Sequence, residues 1–200
     1  TSGYSTVAYK TADISSTGDF TVTASADEMS QAVIQYGFAV TGPLADPADT
    51  SLGSVVVGTE APPASGNDVT VATSQAWNAY VNAFNVSDDQ FAFGFSYTVS
   101  DLRATPTATS MTLEPNTAIW TAEATNAGWF DQGAATQTAN KYIEALSYIE
   151  DASLANEELT FSGNVSVSDL GDGYAVVAFI KTLTSGYSTV AYKTADISST

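Results

Sequence analysis

Apolar and polar residues alternate along most of this chain, which is the pattern of strands that bury one face. Residues 20–26 show it clearly, with phenylalanine, valine and alanine separated by threonine and serine. The same period recurs at 34–40, 91–99 and 159–167, and shorter candidates lie at 54–57, 69–72, 78–86 and 110–114. Turn residues (Gly, Pro, Asp and Asn) separate these short segments, so the pattern predicts an all-β fold, a β-sandwich or jelly roll.

Residues 140–150 (NKYIEALSYIE) fit two different periods. Tyr142, Leu146 and Ile149 would share one face of a helix. Ile143, Ala145, Ser147 and Ile149 would share one face of a strand. Since both readings bury apolar side chains, the local pattern leaves both open, and we favour the strand.

An exact repeat joins the two ends of the chain. Residues 1–17 read TSGYSTVAYKTADISST, and residues 184–200 are identical. The chain can be an excerpt from a tandem array, a subunit whose terminal strand completes a neighbour's sheet, or an engineered chain with one segment copied. In each case one copy belongs to this fold and the other belongs beside it.

The C-terminal copy is predicted to form half of a hairpin. Residues 174–183 (YAVVAFIKTL) are apolar on both faces, as a strand inside a sheet should be, and turn residues at 184–186 precede a returning strand at 187–197. The same strand at 4–14 has no upstream partner, and an unpaired strand invites pairing with another chain. The residues expected to form this assembly strand are Tyr4, Val7, Tyr9, Ile14, Tyr187, Val190, Tyr192 and Ile197.

Several longer phrases carry a resemblance. They are LANEELTFSGNVSVSDLGDGYAVVAFIKTL at 154–183, AWNAYVNAF at 76–84, FAFGFSYTVSDLRAT at 91–105, LEPNT at 113–117 and IQYGFAVTGPLADPADTSLGSVVV at 34–57. Together they resemble a repeat module of large secreted and cell-surface proteins of marine bacteria. That module is similar in architecture to the jelly-roll carbohydrate-binding modules of secreted hydrolases.

The resemblance implies that the chain is out of phase with its unit. Residues 1–17 are then a duplicated connector strand, 18–58 the closing strands of a sandwich, 59–76 a loop or linker, and 77–200 the main body. The terminal strand is available for donor-strand or tandem-repeat completion.

Charge and composition limit the partners. Twenty-two acidic residues against five basic ones give a net charge of −17, which disfavours nucleic acid and anionic membrane surfaces. No apolar run is long enough to insert into a membrane. The chain has no cysteine and is rich in Ser, Thr, Asn and Gly, so we expect a secreted, extracellular or cell-surface location.

The sequence offers few residues that could form a catalytic site. Without histidine or cysteine no Ser–His–Asp or Cys–His site can form, and no spacing of glutamates singles out a facing pair, so we expect no enzyme activity. Clustered carboxylates suggest a structural Ca²⁺ as the one candidate cofactor, although Asp is also a common turn residue. The candidate ligands are Asp46 with Asp49, Asp88 with Asp89, and Asp169 with Asp172.

Aromatic residues offer a second candidate site. Trp120, Trp129 and Phe130 lie in a loop-like stretch with two glycines and nearby amide side chains, and they could stack on a polysaccharide or cap the core. Trp77 is expected in the core and Arg103 in an ion pair. The leading hypothesis is a structural subunit or repeat of an extracellular filament, tube, sheath or long adhesin, joined to copies of itself by strand exchange or tandem repetition. The alternative is a carbohydrate-binding module.

Overall fold

The protein is an all-β sandwich, as the alternating pattern predicts. The computed structural model describes residues 17–58, 67–71, 75–187 and 189–196. No helix in these ranges is long and apolar enough to cross a membrane. The described strands are β1 (Gly18–Ala24), β2 (Val33–Pro43), β3 (Val55–Gly58), β4 (Asn67–Val69), β5 (Asn78–Asn85), β6 (Phe91–Tyr97), β7 (Ala104–Pro106), β8 (Ser110–Leu113), β9 (Lys141–Glu150), β10 (Leu159–Ser168), β11 (Ala175–Leu183) and β12 (Thr189–Asp196). A short helix, α1 (Ala118–Ala122), and a 3₁₀ turn (Ala152–Leu154) complete the described elements.

The strands form two sheets packed face to face. The first has the order β1-β10-β3-β8-β7, with β4 lying parallel to β10 on the same side as β3. The second has the order β12-β11-β2-β9-β5-β6, and every pair in it is antiparallel. Strands from the beginning of the chain therefore sit between strands from its later part: β2 between β11 and β9, and β3 between β10 and β8.

Aromatic rings join the two sheets in the core. The Phe161 ring on β10 lies with its centroid 5.4 Å from Phe20 on the same sheet. Across the sandwich it lies 5.4 Å from Tyr36 and 5.3 Å from Phe38, both on β2. All four residues are at most 1% exposed. Their inward direction follows from the strand period of two, which puts every second residue on the core side.

The ambiguous segment at 140–150 forms strand β9, as favoured. It lies between β2 and β5, and both of its faces are largely buried, including Leu146 on the outer face. A central strand buries side chains on both faces, which suits a segment with apolar residues at both odd and even positions. The 91–99 pattern also forms a strand, but β6 lies at the sheet edge, and Phe91 and Phe95 stay 42% and 55% exposed.

The raised pKa of the buried Tyr36 predicts that the stability of the fold depends on pH in the alkaline range. Burial raises the pKa of Tyr36 to about 12, with the Asp151 charge adding to the rise and a 2.6 Å hydrogen bond from Gln75 Nε2 opposing it. The folded pKa exceeds the unfolded value of 10.0, so the contribution to stability is complete below pH 10 and is lost as pH rises towards 12. We expect the free energy of unfolding to fall over this window, and to fall less steeply in Tyr36→Phe.

Denaturant unfolding across the alkaline range measures this slope, with Tyr187→Phe, an exposed position, as the control. Burial also raises the pKa of Tyr97, Tyr142, Tyr148 and Tyr174, so part of the slope remains in the Tyr36 variant. Equal slopes in Tyr36→Phe and the unmodified protein would contradict the prediction.

Candidate functional site

The C-terminal copy of the repeat provides an edge strand of the second sheet. Strand β12 pairs antiparallel with β11, from Val177 opposite Asp196 to Leu183 opposite Thr189. On its other side β11 pairs with β2 along its whole length. Strand β11 therefore has one further edge, and β12 covers it. We call this edge of β11 the acceptor edge.

The turn that returns the chain to the acceptor edge is tight. The Tyr187 amide donates a 2.8 Å hydrogen bond to the Thr184 carbonyl, and the β11–β12 register shifts next to it, between Thr182 and Leu183. Tyr187 itself has φ of +59°, a left-handed conformation that side-chain-bearing residues rarely adopt. The predicted β11–β12 hairpin is confirmed. Its turn holds Tyr187 in a left-handed backbone conformation.

The acceptor edge lies beside the beginning of β1. Gly18, the first residue of β1, is opposite Val165 near the end of β10. Asp196, the last residue of β12, is opposite Val177 near the start of β11. Because the short loop 169–174 joins β10 to β11, Gly18 and Asp196 lie at the same end of the sandwich. Cα atoms of β1 and β12 approach within 8 Å.

The structure describes only some of the residues predicted to form the assembly strand. Tyr187 is 61% exposed, and its hydroxyl lies 3.4 Å from Glu150 Oε1. Val190 and Tyr192 lie on the β12 backbone. Residues Tyr4, Val7, Tyr9, Ile14 and Ile197 lie outside the described residues.

Comparison of the chain with protein-family models, curated proteins and solved structures finds no match in any of the three. The fold and the acceptor edge therefore define the class to which this protein is assigned: an all-β sandwich whose edge strand is a copy of its own other end.

The candidate calcium ligands serve as turn residues. Asp46 Oδ1 accepts the Ala48 amide at 2.9 Å, and Asp88 Oδ1 accepts the Gln90 amide at 3.0 Å. Asp49 Oδ1 accepts both the hydroxyl and the amide of Ser51, and these hydrogen bonds lower the pKa of Asp49. Asp89 has a left-handed φ of +57° in the turn between β5 and β6.

Two of the three predicted acidic loops meet at one cleft. Asp49 and Asp172 line a cavity of about 330 Å³ together with Tyr174, whose pKa is raised by burial and by the Asp49 charge. Asp88 and Asp89 belong to the separate β5–β6 turn. Among the described residues no group of three or more His, Cys, Asp or Glu side chains is arranged to hold a metal ion. A structural Ca²⁺ stays a prediction.

Asp169 ties two strand ends together at this cleft. Its Oδ1 accepts the Ser54 amide at 2.7 Å, while its own amide donates to the Ser54 carbonyl at 3.1 Å. We expect Asp169→Ala to lower the free energy of unfolding by about 1–2 kcal/mol, because the Ser54 amide loses its carboxylate acceptor. The matched control is Asp172→Ala in the same loop, which removes the same charge and is expected to change stability by less than about 0.5 kcal/mol. Urea unfolding measures the stability of both variants. Equal losses of unfolding free energy would show that the removed charge alone is responsible.

Two of the three candidate glycan-contact rings are buried, which agrees with the alternative that they cap the core. Trp129 is 2% exposed and meets Phe93 edge to face with ring centroids 4.8 Å apart. Phe130 is 1% exposed and lies under Trp120 at 5.2 Å. The stretch folds over the end of the core because its apolar rings gain more from burial there than from solvent. Only Trp120, on α1, keeps a partly exposed ring.

Two further expectations concern single side chains. Trp77 is partly buried and stacks on Phe38 with centroids 6.3 Å apart, so it belongs to the core. Arg103 Nη2 lies 2.9 Å from Glu114 Oε1, which confirms the expected ion pair. Both ends of this pair are partly exposed, so it contributes little to stability.

The structure adds an exposed edge that sequence reasoning missed. Strand β6 (FAFGFSY) has no charged residue and ends the second sheet opposite β12. Phe91 and Phe95 are exposed there. The sequence shows the uncharged aromatic run, which is unusual at a sheet edge. It does not show that, among the described strands, none pairs with β6 on its outer side.

Two hydrogen-bonded polar pairs on the outer face of the second sheet were also missed. Asn82 Nδ2 donates to Glu144 at 2.7 Å, and Gln35 Nε2 donates to Glu150 at 2.9 Å. Burial lowers the pKa of Lys181 on the neighbouring strand, with the Glu144 charge opposing the shift. These polar residues interrupt apolar strands, which gives the outer face of the sheet a mixed character.

Proposed function

We propose that this protein is a structural subunit of an extracellular assembly, in which the TSGYSTVAYKTADISST strand of one unit completes the sheet of the next. The observation that carries the proposal is the acceptor edge. One copy of the repeat is paired there in a defined register, and an identical sequence stands at the other end of the chain. A second unit therefore offers the same side chains for the same edge.

The character of β11 explains why the acceptor edge needs a strand. Residues of β11 are buried on both faces, with Val176, Phe179 and Ile180 each at most 1% exposed. An apolar strand with an open edge presents unpaired amides and carbonyls beside hydrophobic side chains, and it recruits any matching strand. Strand addition satisfies these groups by main-chain hydrogen bonds and gains specificity from alternate side chains.

The charge of the connector is compatible with this joint. The protein as a whole carries −17, which makes copies repel one another. The 17-residue repeat contains one lysine and one aspartate and is neutral, so the joint itself adds no repulsion. Salt screens charges separated by more than about 8–10 Å, and it should therefore favour association. The resemblance to repeats of secreted and cell-surface proteins supports an extracellular setting.

The duplicated sequence permits a matched pair of test variants. Val7 and Val190 occupy the same position in the two copies, and proline at either position removes a backbone donor and disrupts strand pairing. We expect the full chain to form polymers at high concentration, Val7→Pro to remain a folded monomer, and Val190→Pro to keep polymerising because its acceptor edge is open to a neighbour.

Sedimentation velocity and negative-stain electron microscopy, with and without Ca²⁺, measure the outcome. Deletion of residues 1–17 should behave as Val7→Pro does. A full chain that stays monomeric at high concentration under both conditions would overturn the proposal, as would polymers that persist unchanged in both proline variants.

A further inference from the structure

Strand β6 is the least protected of the strands described at the ends of the two sheets. Edge strands are commonly protected by charged residues, by proline, by short length or by a neighbouring strand. At the other ends, β7 has three residues and finishes at Pro106, β12 contains Lys193 and Asp196, and β1 lies beside β12. Strand β6 has seven residues, none of them charged or proline, and among the described strands it pairs with β5 alone.

The regular part of β6 runs from Phe93 to Tyr97 and has Phe95 at its midpoint. Over these five residues the pairing with β5 is uninterrupted, and the register shifts beyond Phe93. The Phe95 side chain is 55% exposed, although Val81, opposite it on β5, is fully buried. Phe93 packs against Trp129 and lies 5.5 Å from Phe95 between ring centroids. An exposed ring therefore stands at the rim of the sandwich beside a ring that is anchored in the core.

The sequence of this regular part is complementary to itself. In an antiparallel pair with a two-fold axis at Phe95, Gly94 would lie opposite Ser96 of the second copy, and Phe93 opposite Tyr97 of the second copy. Small residues then meet small residues and aromatic rings meet aromatic rings, with the two Phe95 rings opposite each other on the axis. Aromatic cross-strand pairs stabilise antiparallel sheets, and a two-fold interface requires such self-complementarity.

We propose that β6 pairs antiparallel with β6 of a second copy of this chain, about a two-fold axis at Phe95. The charge distribution permits a second copy here. Each chain carries −17, so copies repel one another, but residues 90–100 (QFAFGFSYTVS) contain no charge. Asp89 and Asp101 are six positions from Phe95 on either side, so like charges would meet only at the two ends of the joint. Added salt screens this repulsion and strengthens the pair.

The contact is too small to hold two isolated chains together. Seven residues are about a third of the 20–30 residues that each partner contributes to a stable interface. Val7→Pro therefore still sediments as a monomer. A polymer presents many β6 edges, and their simultaneous pairing multiplies a weak contact. The inference rests on the proposed function for this role alone: within an assembly, β6 pairing joins neighbouring polymers side by side.

Disulfide trapping tests the pair without requiring polymers, since the chain has no cysteine of its own. Phe95→Cys places two thiols on the two-fold axis, where opposite residues lie about 4.5–5.5 Å apart, within disulfide range. The matched control is Ala92→Cys, also exposed on β6. Its counterpart opposite is Thr98, six positions away, so the two Ala92→Cys thiols would lie about 20 Å apart. Both variants are made in the full chain and in Val7→Pro.

Non-reducing gels after mild oxidation at high protein concentration measure the rate of dimer formation. We expect Phe95→Cys to form disulfide dimers about ten-fold faster than Ala92→Cys in both backgrounds, because pairing holds its thiols together while the control thiols meet only by collision. Equal rates would overturn the inference. Trapping in Val7→Pro alone would show that the connector strand occupies the edge, and trapping in the full chain alone that the rings meet only through strand exchange; either result would also overturn it.

Negative-stain electron microscopy of the full chain tests the role in assembly. We expect polymers of the unmodified chain to lie side by side, and polymers of Phe95→Lys to keep their length but remain separate. Lysine reduces the net negative charge, so a loss of contact would come from the edge and not from added repulsion. Separate polymers of the unmodified chain, or bundles that persist in Phe95→Lys, would overturn the side-by-side role. A chain that never polymerises but traps Phe95→Cys dimers would support the inference and overturn the proposed function.

Discussion

Phe161→Ala is expected to lower the free energy of unfolding by about 3–5 kcal/mol, the largest effect among the substitutions considered. The Phe161 ring is fully buried and meets Phe20 on its own sheet and Tyr36 and Phe38 on the opposite sheet. Alanine loses the transfer free energy of the ring. It also leaves a cavity between two sheets whose backbones are held by their own hydrogen bonds and cannot close around it.

Urea unfolding followed by tryptophan fluorescence measures this loss at low protein concentration. The matched control is Phe95→Ala, which removes the same ring from an edge strand where it is 55% exposed. We expect the control to change stability by no more than about 0.5 kcal/mol. A loss below about 1.5 kcal/mol for Phe161→Ala would mean that the sheets approach one another when the ring is removed, contrary to the rigid packing inferred here.

Gly37→Ala is expected to lower the free energy of unfolding by about 1–3 kcal/mol through overpacking. Gly37 lies in the middle of β2, opposite Tyr148 on β9. A Cβ atom at this position would collide with the Ser147 carbonyl oxygen and lie 2.7 Å from the Tyr148 Cα. Both contacts are with backbone in a central strand, so neither can move without disturbing the β2–β9 pairing.

Gly58→Ala is the control from the same fold. Among the described residues, its Cβ would meet the Asn164 and Thr109 carbonyl oxygens, each at 3.8 Å, which is ordinary contact. Alanine there should be neutral or should stabilise by up to about 1 kcal/mol, because it restricts the unfolded chain. Thermal or urea unfolding compares the two variants. Equal stability of both alanine variants would show that β2 and β9 separate easily, and would contradict the tight approach described.

Strand positions could be predicted where the period of two is strong. Phe20 and Val22 on β1, like Leu159 and Phe161 on β10, face the core as the alternation indicates. The pattern is less informative where the bounds of a strand depend on the strands that pair with it. Residues 69–72 were expected to form a strand, and β4 instead covers Asn67–Val69. Strand β7 and helix α1 were not predicted, since three to five residues give too few periods to recognise.

The candidate site was predictable in its strand and not in its surroundings. The repeat and the turn at 184–186 were sufficient to predict the β11–β12 hairpin, because both features are local. The sequence left open whether Trp129 is exposed or caps the core, because its burial depends on Phe93, which lies on a distant strand. In the same way the sequence could not show that Asp169 accepts a hydrogen bond from the Ser54 amide, because the two residues are 115 positions apart in the chain.

The sequence by itself determined three properties of this protein: alternation that forms strands, a 17-residue strand present twice, and the lack of histidine and cysteine. These are local or compositional, so they need no knowledge of which segments meet. Only the tertiary structure decided which strands lie at sheet edges, and that the end of β12 lies beside the start of β1. Edge position and proximity depend on the pairing order of the whole sandwich. That order places the C-terminal copy of the repeated strand at the edge of the second sheet.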